Sequence, residues 1–487
     1  MEIEGHRAVG EGPRTWSILS RSPIQLTDST RLPHGEGASP REGAVMTRGW
    51  DYEVAVIGGG PGGSSAAAQL ARKGHRILLL ERETFPRFHI GESQLPWSNE
   101  VMRTLGCEDL IREAGFVNKW GASFTSHDGS AAQYADFARA AETPAPQTFQ
   151  VPRERFDDVL LRHAQRSGAE VRQGTRALDA IFDDKGATIS YVDPKGLAHA
   201  VRAGAVVDAS GRAGFLAKRF GQRVVDPVLR NVAVHAQFEG VPRREGRRAG
   251  DIQMVTRPDR GWFWFIPISP TVMSVGAVVP KAVHAAAGRP TAEESLQHYI
   301  DETPAAAELM REARRVSPGR FDADYSYLHT QHAGDRWVLV GDAGGFLDPI
   351  FSTGVLLAMQ SGLEAAALIS AGLADGDLSR ARFAAYERTL QKRYHHFRRF
   401  AVGFYDPAFR DLFFTRSSRF GIYEAVLSVL AGNWRPSLGT RLRLAMFFGL
   451  VALQRVLPIA ARSHSAAAWS GRRLPTPEPE PTLETER

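Results

Sequence analysis

The sequence has little cysteine and little net charge for its length. Cys107 is the only cysteine among 487 residues, which excludes an intrachain disulfide, a zinc site with several thiolates and a CxxC redox pair. A single cysteine is typical of a reducing compartment, so we expect a cytoplasmic location. Hydrophobic residues make up 43% and charged residues 23% of the chain, a composition that excludes a wholly disordered or collagen-like protein.

Long apolar runs and targeting signals are also lacking. The longest apolar run in the C-terminal part, from Leu444 to Leu453, is about half of the roughly 20 residues that a membrane-spanning helix needs. Residues 1–48 hold six acidic residues and six arginines, whereas a transit peptide is poor in acidic residues. We predict that residues 1–48 form a disordered extension and that the native protein starts at Met46.

A βαβ unit follows this extension. The run from Tyr52 to Ile57 predicts a buried strand, and Gly58, Gly60 and Gly63 form a G-x-G-x-x-G turn before a helix of small residues. Such glycines permit a tight turn, a close approach to a pyrophosphate and close helix packing. Glu81 ends the next strand, where its carboxylate can accept from ribose hydroxyls. The combination predicts dinucleotide binding.

A second glycine cluster indicates FAD rather than NAD. GDAGGFLDP follows the predicted strand from Trp337 to Val340, and a flavoprotein has to hold both ends of a long cofactor. Asp342 in this cluster can accept from ribityl hydroxyls, although taken alone it is better explained as the N-cap of a helix after a strand-to-helix turn. The DASGR turn from Asp208 to Arg212 favours the flavin interpretation.

We therefore predict an α/β fold. A Rossmann-like FAD-binding domain of the glutathione-reductase type is combined with an antiparallel β-sheet substrate domain and a helical C-terminal region. The predicted segments are a disordered extension (1–48), the first part of the FAD-binding domain (49–225), the substrate domain (226–325), the last part of the FAD-binding domain (326–390), a basic helical region (391–473) and a disordered acidic tail (474–487).

Six motifs together resemble the flavin-dependent halogenases of the phenol and pyrrole type, within the tryptophan-halogenase-like superfamily. They are GGGPGG, FPRFHIGESQLP, VxRxxFD, DASGR, WFWFIP and GDAGGFLDPIFSTGV, and the resemblance extends from about residue 52 to residue 430. The outer motifs are shared with FAD-dependent aromatic hydroxylases (monooxygenases) and geranylgeranyl reductases. Those oxidoreductases are therefore the alternative function, and a flavin-binding protein without turnover is a third.

Trp262, Trp264, Ile266 and Pro267 match the W-x-W-x-I-P motif of the halogenases. The resemblance implies that the tryptophans separate the flavin from the organic substrate. Without it, the same residues are bulky side chains of a core strand. Phe351 stands where tryptophan-type halogenases carry a glutamate, which makes free tryptophan an unfavourable substrate.

Lys119, in VNKWGASF, matches the catalytic lysine of the family, although a lone lysine is more often a solvated side chain. Thr353 and Gly354 match the pair whose backbone N–H groups bind halide at a helix start; helix capping by Ser352 or Thr353 is the alternative. The resemblance also implies cofactor contacts, besides the three glycines, Glu81, Asp342 and Gly354, from Ser64, Arg82, Glu92, Ser93, Arg153, Pro349 and Val355.

The implied reaction is FADH2-dependent halogenation. A separate flavin reductase supplies reduced FAD, oxygen gives the flavin hydroperoxide, chloride or bromide attacks it, and Lys119 guides the hypohalous acid to an electron-rich ring. The substrate is a phenol or pyrrole, either free or tethered to an acyl or peptidyl carrier protein, and secondary metabolism such as antibiotic biosynthesis is the implied setting. No metal is implied.

The small positive charge is concentrated in one region. The chain carries a net charge of +6, whereas residues 391–473 alone carry +11 and residues 49–390 carry −2. No zinc-finger or RNP motif accompanies this charge, which argues against a nucleic-acid partner. The basic region fits a helix packed on the core beneath arginine stems, a peripheral membrane contact, or a dock for an acidic carrier protein.

Overall fold

A computed structural model describes residues 49–323, 325–415 and 419–461 of the chain, and the side chain of residue 419 is not described. The predicted extension (1–48) and acidic tail (474–487) lie outside the described residues.

The strands are β1 (Tyr52–Ile57), β2 (Ile77–Leu80), β3 (Val117–Lys119), β4 (Gly121–Thr125), β5 (Ala132–Asp136), β6 (Thr148–Gln150), β7 (Glu170–Arg172), β8 (Arg176–Asp183), β9 (Gly186–Val192), β10 (Ala198–Asp208), β11 (Arg223–Val225), β12 (Asn231–Glu239), β13 (Ile252–Thr256), β14 (Trp262–Pro267), β15 (Val272–Pro280), β16 (Arg314–Arg315), β17 (Arg320–Ala323), β18 (Tyr327–His329), β19 (Ala333–Gly334), β20 (Trp337–Leu339) and β21 (Gly345–Phe346). The helices are α1 (Pro61–Arg72), α2 (Pro96–Leu105), α3 (Glu108–Glu113), α4 (Arg153–Arg166), α5 (Ala217–Phe220), α6 (Lys281–Ala287), α7 (Ala292–Asp301), α8 (Pro304–Met310), α9 (Gly354–Asp375), α10 (Arg380–Phe404), α11 (Pro407–Phe414), α12 (Ile422–Leu430) and α13 (Leu438–Val456).

The FAD-binding domain predicted from the sequence is built on a parallel sheet. Its strand order is β19-β20-β10-β1-β2-β7, and all neighbours from β20 to β7 are parallel. Ile57, at the end of β1, is in register with Leu80 on one side and Asp208 on the other. The loops after these strands, including the G-x-G-x-x-G turn, therefore meet at one edge of the sheet, where ligands bind in open α/β folds.

Helix α9 packs on α1 through small residues. A Cβ built on Gly362 would lie 2.4 Å from the carbonyl oxygen of Gly62, so the two helices are in direct backbone contact. Among the described helices, α9 alone has the length and apolar composition to cross a membrane. Half of its most apolar stretch is buried in the protein, as expected for a core helix.

The second sheet corrects one prediction. Its order is β16-β12-β15-β14-β13-β4-β5, with β17 paired to β12. It is mostly antiparallel as predicted, but β4 and β5 come from before residue 226, and β13 and β4 run parallel. The short strands β4 and β5 carry no hydrophobic pattern strong enough to assign them to this sheet. Lys119 ends β3, two residues before β4 begins.

The C-terminal helices α10 to α13 pack on the core. Phe397, Phe404 and Phe447 are buried in one hydrophobic cluster with Trp262 and Trp264. Two of the arginines lie against aromatic rings: Arg393 is 4.2 Å from the ring of Trp434, and Arg399 is 3.5 Å from the ring of Phe448. This arrangement agrees with the first interpretation of the basic region. Helix α13 also exposes Leu442 and Met446 to solvent.

Candidate active site

A cavity of about 990 Å³ lies where the loops of the parallel sheet meet the second sheet. Most of the predicted site residues line it: Gly58, Gly60, Glu81, Arg82, Glu92, Ser93, Arg153, Trp262, Trp264, Ile266, Asp342, Pro349, Gly354 and Val355. Five others are buried behind its wall: Gly63, Ser64, Lys119, Pro267 and Thr353. The structure thus brings motifs from both ends of the chain to one cavity.

The glycine turn is shaped by close backbone contacts. Gly58 has a φ of +106°, and a Cβ there would lie 2.3 Å from the carbonyl oxygen of Ala209. A Cβ on Gly63 would lie 1.9 Å from the carbonyl oxygen of Gly58. Gly60 differs, because the nearest atom to its Cβ position is a guanidinium nitrogen of Arg87 at 3.7 Å. Gly60 therefore faces open space at the start of α1, as a residue beside a bound phosphate must.

Glu81 braces this turn. Its Oε2 accepts from the N–H of Gly59 at 2.6 Å, and its Oε1 accepts from the N–H of Glu83 at 2.8 Å. Ser64 donates its hydroxyl hydrogen to the carbonyl oxygen of Gly59 at 2.8 Å. Ser64 thus supports the turn from behind, while Glu81 lies on the cavity wall with acceptor capacity left for sugar hydroxyls.

Two arginines share a buried carboxylate, and only one of them was predicted. Asp157, fully buried, accepts from Arg153 Nε at 2.8 Å and from Arg87 Nη1 at 3.0 Å. Both arginines line the cavity, and Arg87 lies beside Gly60. The FPRFH motif contains Arg87, but nothing in the sequence indicates that it shares a carboxylate with Arg153, which is far along the chain. Two guanidinium groups at the glycine turn suit the charge of a pyrophosphate.

The turns after β10 and β20 complete the wall. Asp208 is buried and accepts from the N–H groups of Ser210 at 3.0 Å and Leu216 at 2.6 Å, so its role is to hold the DASGR turn. Asp342 faces the cavity, and burial raises the pKa of its carboxyl to about 6. Tyr327 donates to the main-chain oxygen of Asp342 at 2.6 Å and fixes that turn.

Glu92 leaves a buried acceptor without a partner. Its side chain is 2% exposed, and no hydrogen-bond donor among the described residues reaches its Oε2. Burial raises the pKa of this carboxyl to about 7, against a lowering contribution from a hydrogen bond with Ser274. Since buried polar groups are normally paired, the Oε2 of Glu92 fits a polar group of a ligand in the cavity.

These residues fit FAD. Gly60, Arg87 and Arg153 would hold the phosphates, and Glu81 would hold the adenosine ribose. Asp342 would hold the ribityl chain, and Glu92 offers an acceptor to the polar edge of the flavin ring.

The two tryptophans of β14 point to the same side of the second sheet and line the cavity with Ile266. Their ring centroids are 5.9 Å apart. Trp262 donates its Nε1–H to the hydroxyl of Tyr405 at 2.9 Å, and Trp264 donates to Ser274 Oγ at 3.2 Å. They are thus both core residues and cavity wall. Pro267 is the last residue of β14 and does not line the cavity.

Lys119 is buried rather than solvated, so the alternative that treated it as a surface lysine is wrong. Its side chain is 2% exposed, and its Nζ donates to Ser93 Oγ at 2.7 Å and to the carbonyl oxygen of Gln94 at 2.8 Å. Burial lowers the pKa of this amine to about 7, while the carboxylate of Asp251 acts in the opposite direction. Lys119 therefore lies one side chain behind the cavity wall formed by Ser93.

Thr353 and Gly354 begin α9. Thr353 is buried, and its side chain makes no capping hydrogen bond to the helix, so capping does not account for this residue. Gly354 lies on the cavity wall, and the first N–H groups of a helix have no partner within the helix. Phe351, just before them, is buried against Phe404 at a centroid distance of 5.9 Å. An apolar ring thus occupies the position where a glutamate would be expected for a tryptophan substrate.

The comparisons with known proteins agree with this site. The family model described as "Tryptophan halogenase" matches residues 53–143 and 125–417. A 1H-pyrrole-2-carbonyl-[peptidyl-carrier protein] chlorinase of Pseudomonas fluorescens is 32% identical over 405 residues, covering 79% of this chain and 89% of that protein. The flavin-dependent halogenase armH3 of Armillaria mellea is 33% identical, covering 72% and 74%.

A solved structure gives the same result. The myxobacterial chondrochloren halogenase CndH, described as a variant of FAD-dependent halogenases, superposes with a TM-score of 0.70 at 35% identity, covering 84% of this chain and 91% of that chain. The predicted α/β fold with a helical C-terminal region is confirmed.

Proposed function

The chain belongs to the tryptophan halogenase family of FAD-dependent halogenating enzymes, and we propose that its organic substrate is a pyrrole or phenol carried by an acyl or peptidyl carrier protein. The observation that supports this proposal is the shared wall of one cavity. The G-x-G-x-x-G turn, the tryptophans of β14 and the start of α9 all line it, and Lys119 lies directly behind Ser93.

Bound reduced FAD, with oxygen, supplies the oxidising power that converts halide to hypohalous acid. The organic step is then an electrophilic substitution, in which the halogen of the hypohalous acid replaces a ring hydrogen and the hydroxyl group leaves with that hydrogen as water. Such a step needs an electron-rich ring and a donor that polarises the oxygen of the hypohalous acid.

Each residue has one task in this proposal. The free N–H groups at Thr353 and Gly354 bind the halide at the start of α9. Trp262 and Trp264 keep the organic substrate away from the cofactor. Lys119 donates a hydrogen bond from its Nζ to the hypohalous acid and directs it to the ring. The lowered pKa of Lys119, about 7, keeps both its charged and neutral forms accessible near neutral pH.

Three further parts of the proposal concern partners and location. The P. fluorescens relative is named for a carrier-bound pyrrole, which supports a tethered substrate here. Reduced FAD is supplied by a separate flavin reductase, as expected for a halogenase. The chain has a single cysteine, Cys107, and this low cysteine content supports a location in the reducing cytoplasm.

The test is a bromination assay with purified protein, FAD, a flavin reductase, NADH and bromide. The acceptors are free phenols, pyrrole-2-carboxylate, and pyrrole-2-carbonyl groups on a peptidyl carrier protein, with products followed by mass spectrometry. We expect brominated product from the carrier-bound pyrrole and none from free tryptophan. Bromination of free acids at an equal rate would contradict the tethered substrate, and no brominated product from any ring would contradict the function.

Lys119→Ala should abolish bromination and leave FAD binding intact. Lys195→Ala is the matched control, because Lys195 is exposed in the turn between β9 and β10. Full activity of Lys119→Ala would remove the lysine from the mechanism.

A further inference from the structure

Asp251 is tied to the peptide groups that follow Lys119. It directly precedes β13, and its carboxyl group is 1% exposed. Its Oδ1 accepts from the N–H of Trp120 at 2.6 Å and from the N–H of Gly121 at 2.9 Å, and its Oδ2 accepts from the hydroxyl of Tyr134 at 2.8 Å. The two hydrogen bonds from the backbone fix the chain at the end of β3, where Lys119 is attached, and the bond from Tyr134 holds the carboxylate in place.

We propose that Asp251 is a positioning residue for the halogenation, which fixes the backbone that carries Lys119 and stabilises the ammonium form of its side chain. This inference rests on the proposed role of Lys119. Asp251 itself does not line the cavity, so it acts through the lysine and not on the substrate.

The geometry around the amine explains why its form matters. Lys119 Nζ donates to two acceptors, Ser93 Oγ and the carbonyl oxygen of Gln94. An ammonium group has three N–H bonds, and the described residues supply hydrogen-bond acceptors for two of them. The ring of Phe137 lies 5.2 Å from the same nitrogen. The third N–H is the one that would donate a hydrogen bond to a hypohalous acid. Because Ser93 lies on the cavity wall, its bond to Lys119 holds the amine close to the cavity.

Two arginines near this segment are already engaged, whereas Glu92 keeps a buried oxygen without a hydrogen-bond partner among the described residues. Arg247 lies 5.1 Å from the ring of Trp120 and pairs with Asp136 at 2.7 Å. Arg248 lies 3.9 Å from the ring of Tyr134. Glu92 adjoins Ser93 in the chain.

Asp251 is the charged group that acts on the lysine. Among the charged groups of the described residues, its carboxylate alone shifts the pKa of Lys119, raising it against the larger lowering by burial. Removing this charge while keeping an acceptor oxygen for the N–H groups of Trp120 and Gly121 should therefore lower the pKa of Lys119 below its present value of about 7. An opposite charge at close range typically moves a pKa by about one unit or more.

The experiment measures the rate of single-turnover bromination with chemically reduced FAD from about pH 5.5 to 9, which removes the reductase from the pH profile. Asp251→Asn keeps the size and an acceptor oxygen but removes the charge. The rate should fall at high pH, where Lys119 loses the proton of its ammonium group. We expect this alkaline limb of the profile to move down by about one pH unit. Tyr134→Phe is the matched control, because it removes a hydrogen bond from the same carboxylate and leaves the charge, so its limb should stay in place.

Asp251→Glu separates position from charge. It keeps the negative charge but displaces the oxygens, so we expect an unmoved limb with a rate lowered about 10- to 100-fold. This variant also carries the test if Asp251→Asn fails to fold, as judged by circular dichroism. A wild-type rate in Asp251→Glu, or an unmoved limb in folded Asp251→Asn, would overturn the inference.

The two proposals fail differently. If Lys119→Ala is inactive while Asp251→Asn keeps the wild-type profile, the proposed function stands and the role of Asp251 is wrong. If Lys119→Ala retains full activity, the lysine has no catalytic role and the inference about Asp251 falls with it.

Discussion

The indole N–H of Trp262 donates a hydrogen bond of 2.9 Å to the hydroxyl of Tyr405, which joins β14 to the segment between α10 and α11. The same hydroxyl donates to Asp348 Oδ2 at 2.8 Å, and Asn231 Nδ2 donates to that oxygen at 2.8 Å. All four side chains are buried. A tryptophan of the cavity wall is therefore held by the C-terminal helices, so the residues after 390 support the site.

Tyr405→Phe should destabilise the protein and loosen Trp262. The variant leaves the indole N–H of Trp262 without its acceptor and Asp348 without one of its donors, both away from water. We expect the free energy of unfolding to fall by about 1 to 3 kcal/mol. We expect a lower midpoint in urea unfolding followed by tryptophan fluorescence. Tyr423→Phe is the matched control, since the Tyr423 hydroxyl donates to the carbonyl oxygen of Tyr134 and Tyr423 does not line the cavity. An effect no larger than that of the control would contradict this account.

Gly58→Ala and Gly60→Ala should fail in different ways. A Cβ at Gly58 collides with the carbonyl oxygen of Ala209 at 2.3 Å, and the φ of +106° disfavours any side chain. We expect this variant to lose thermal stability and FAD binding together. Gly60→Ala has room in the protein, so it should melt like wild type but bind FAD more weakly, because its methyl group occupies phosphate space. Fluorescence quenching of FAD and thermal melting separate the two; equal melting temperatures would contradict the steric argument.

Arg87→Ala tests the phosphate assignment. Its guanidinium lies beside Gly60, and Arg153 still pairs with Asp157 when Arg87 is removed. Losing a charge-assisted hydrogen bond of about 1.5 kcal/mol or more weakens binding about tenfold or more. We expect this loss for FAD and no loss for riboflavin, which has no phosphate.

A control for this measurement is Arg103→Ala, an arginine on α2 that is half exposed and pairs with Glu100. Equal losses for FAD and riboflavin in Arg87→Ala would place Arg87 away from the phosphates.

The sequence predicts the parts of this fold whose information is local. β1, the glycine turn and α1 are adjacent in the chain. The positive φ at position 58 requires a glycine there, so the motif indicates both the structure and the ligand. The contacts that complete the site are not local. Asp251 accepts hydrogen bonds from the peptide groups after Lys119, and Arg87 and Arg153 both donate to Asp157. No regular spacing in the sequence predicts either contact.

The burial of a polar side chain is also difficult to predict from the sequence. Lys119 alone is indistinguishable from a surface lysine, and only the packing of β3 on β6 and the segment of Ser93 makes it a buried amine. Likewise, β4 and β5 are too short to show which sheet they join. The family resemblance identified Lys119 as a candidate catalytic residue. The structure showed its hydrogen-bond partners and the burial that lowers its pKa.

The pH dependence of apoprotein stability should depend on Glu92. Burial raises the pKa of this carboxyl from 4.5 to about 7 in the folded protein. Below about pH 4.5 the group is protonated in both states and has no effect. Between the two pKa values the unfolded chain ionises first, so folding becomes progressively less favourable, and above about pH 7 the penalty is constant at up to about 3 kcal/mol.

Glu92→Gln removes this penalty. We expect the variant to match wild type near pH 4.5 and to be more stable at pH 8, measured as the difference in urea midpoint between the two proteins at each pH. Glu113→Gln, at an exposed position on α3, is the matched control and should give the same difference at every pH. If the Glu92→Gln difference does not grow with pH, Glu92 is ionised in the folded protein, and its Oε2 has a donor that burial alone does not reveal.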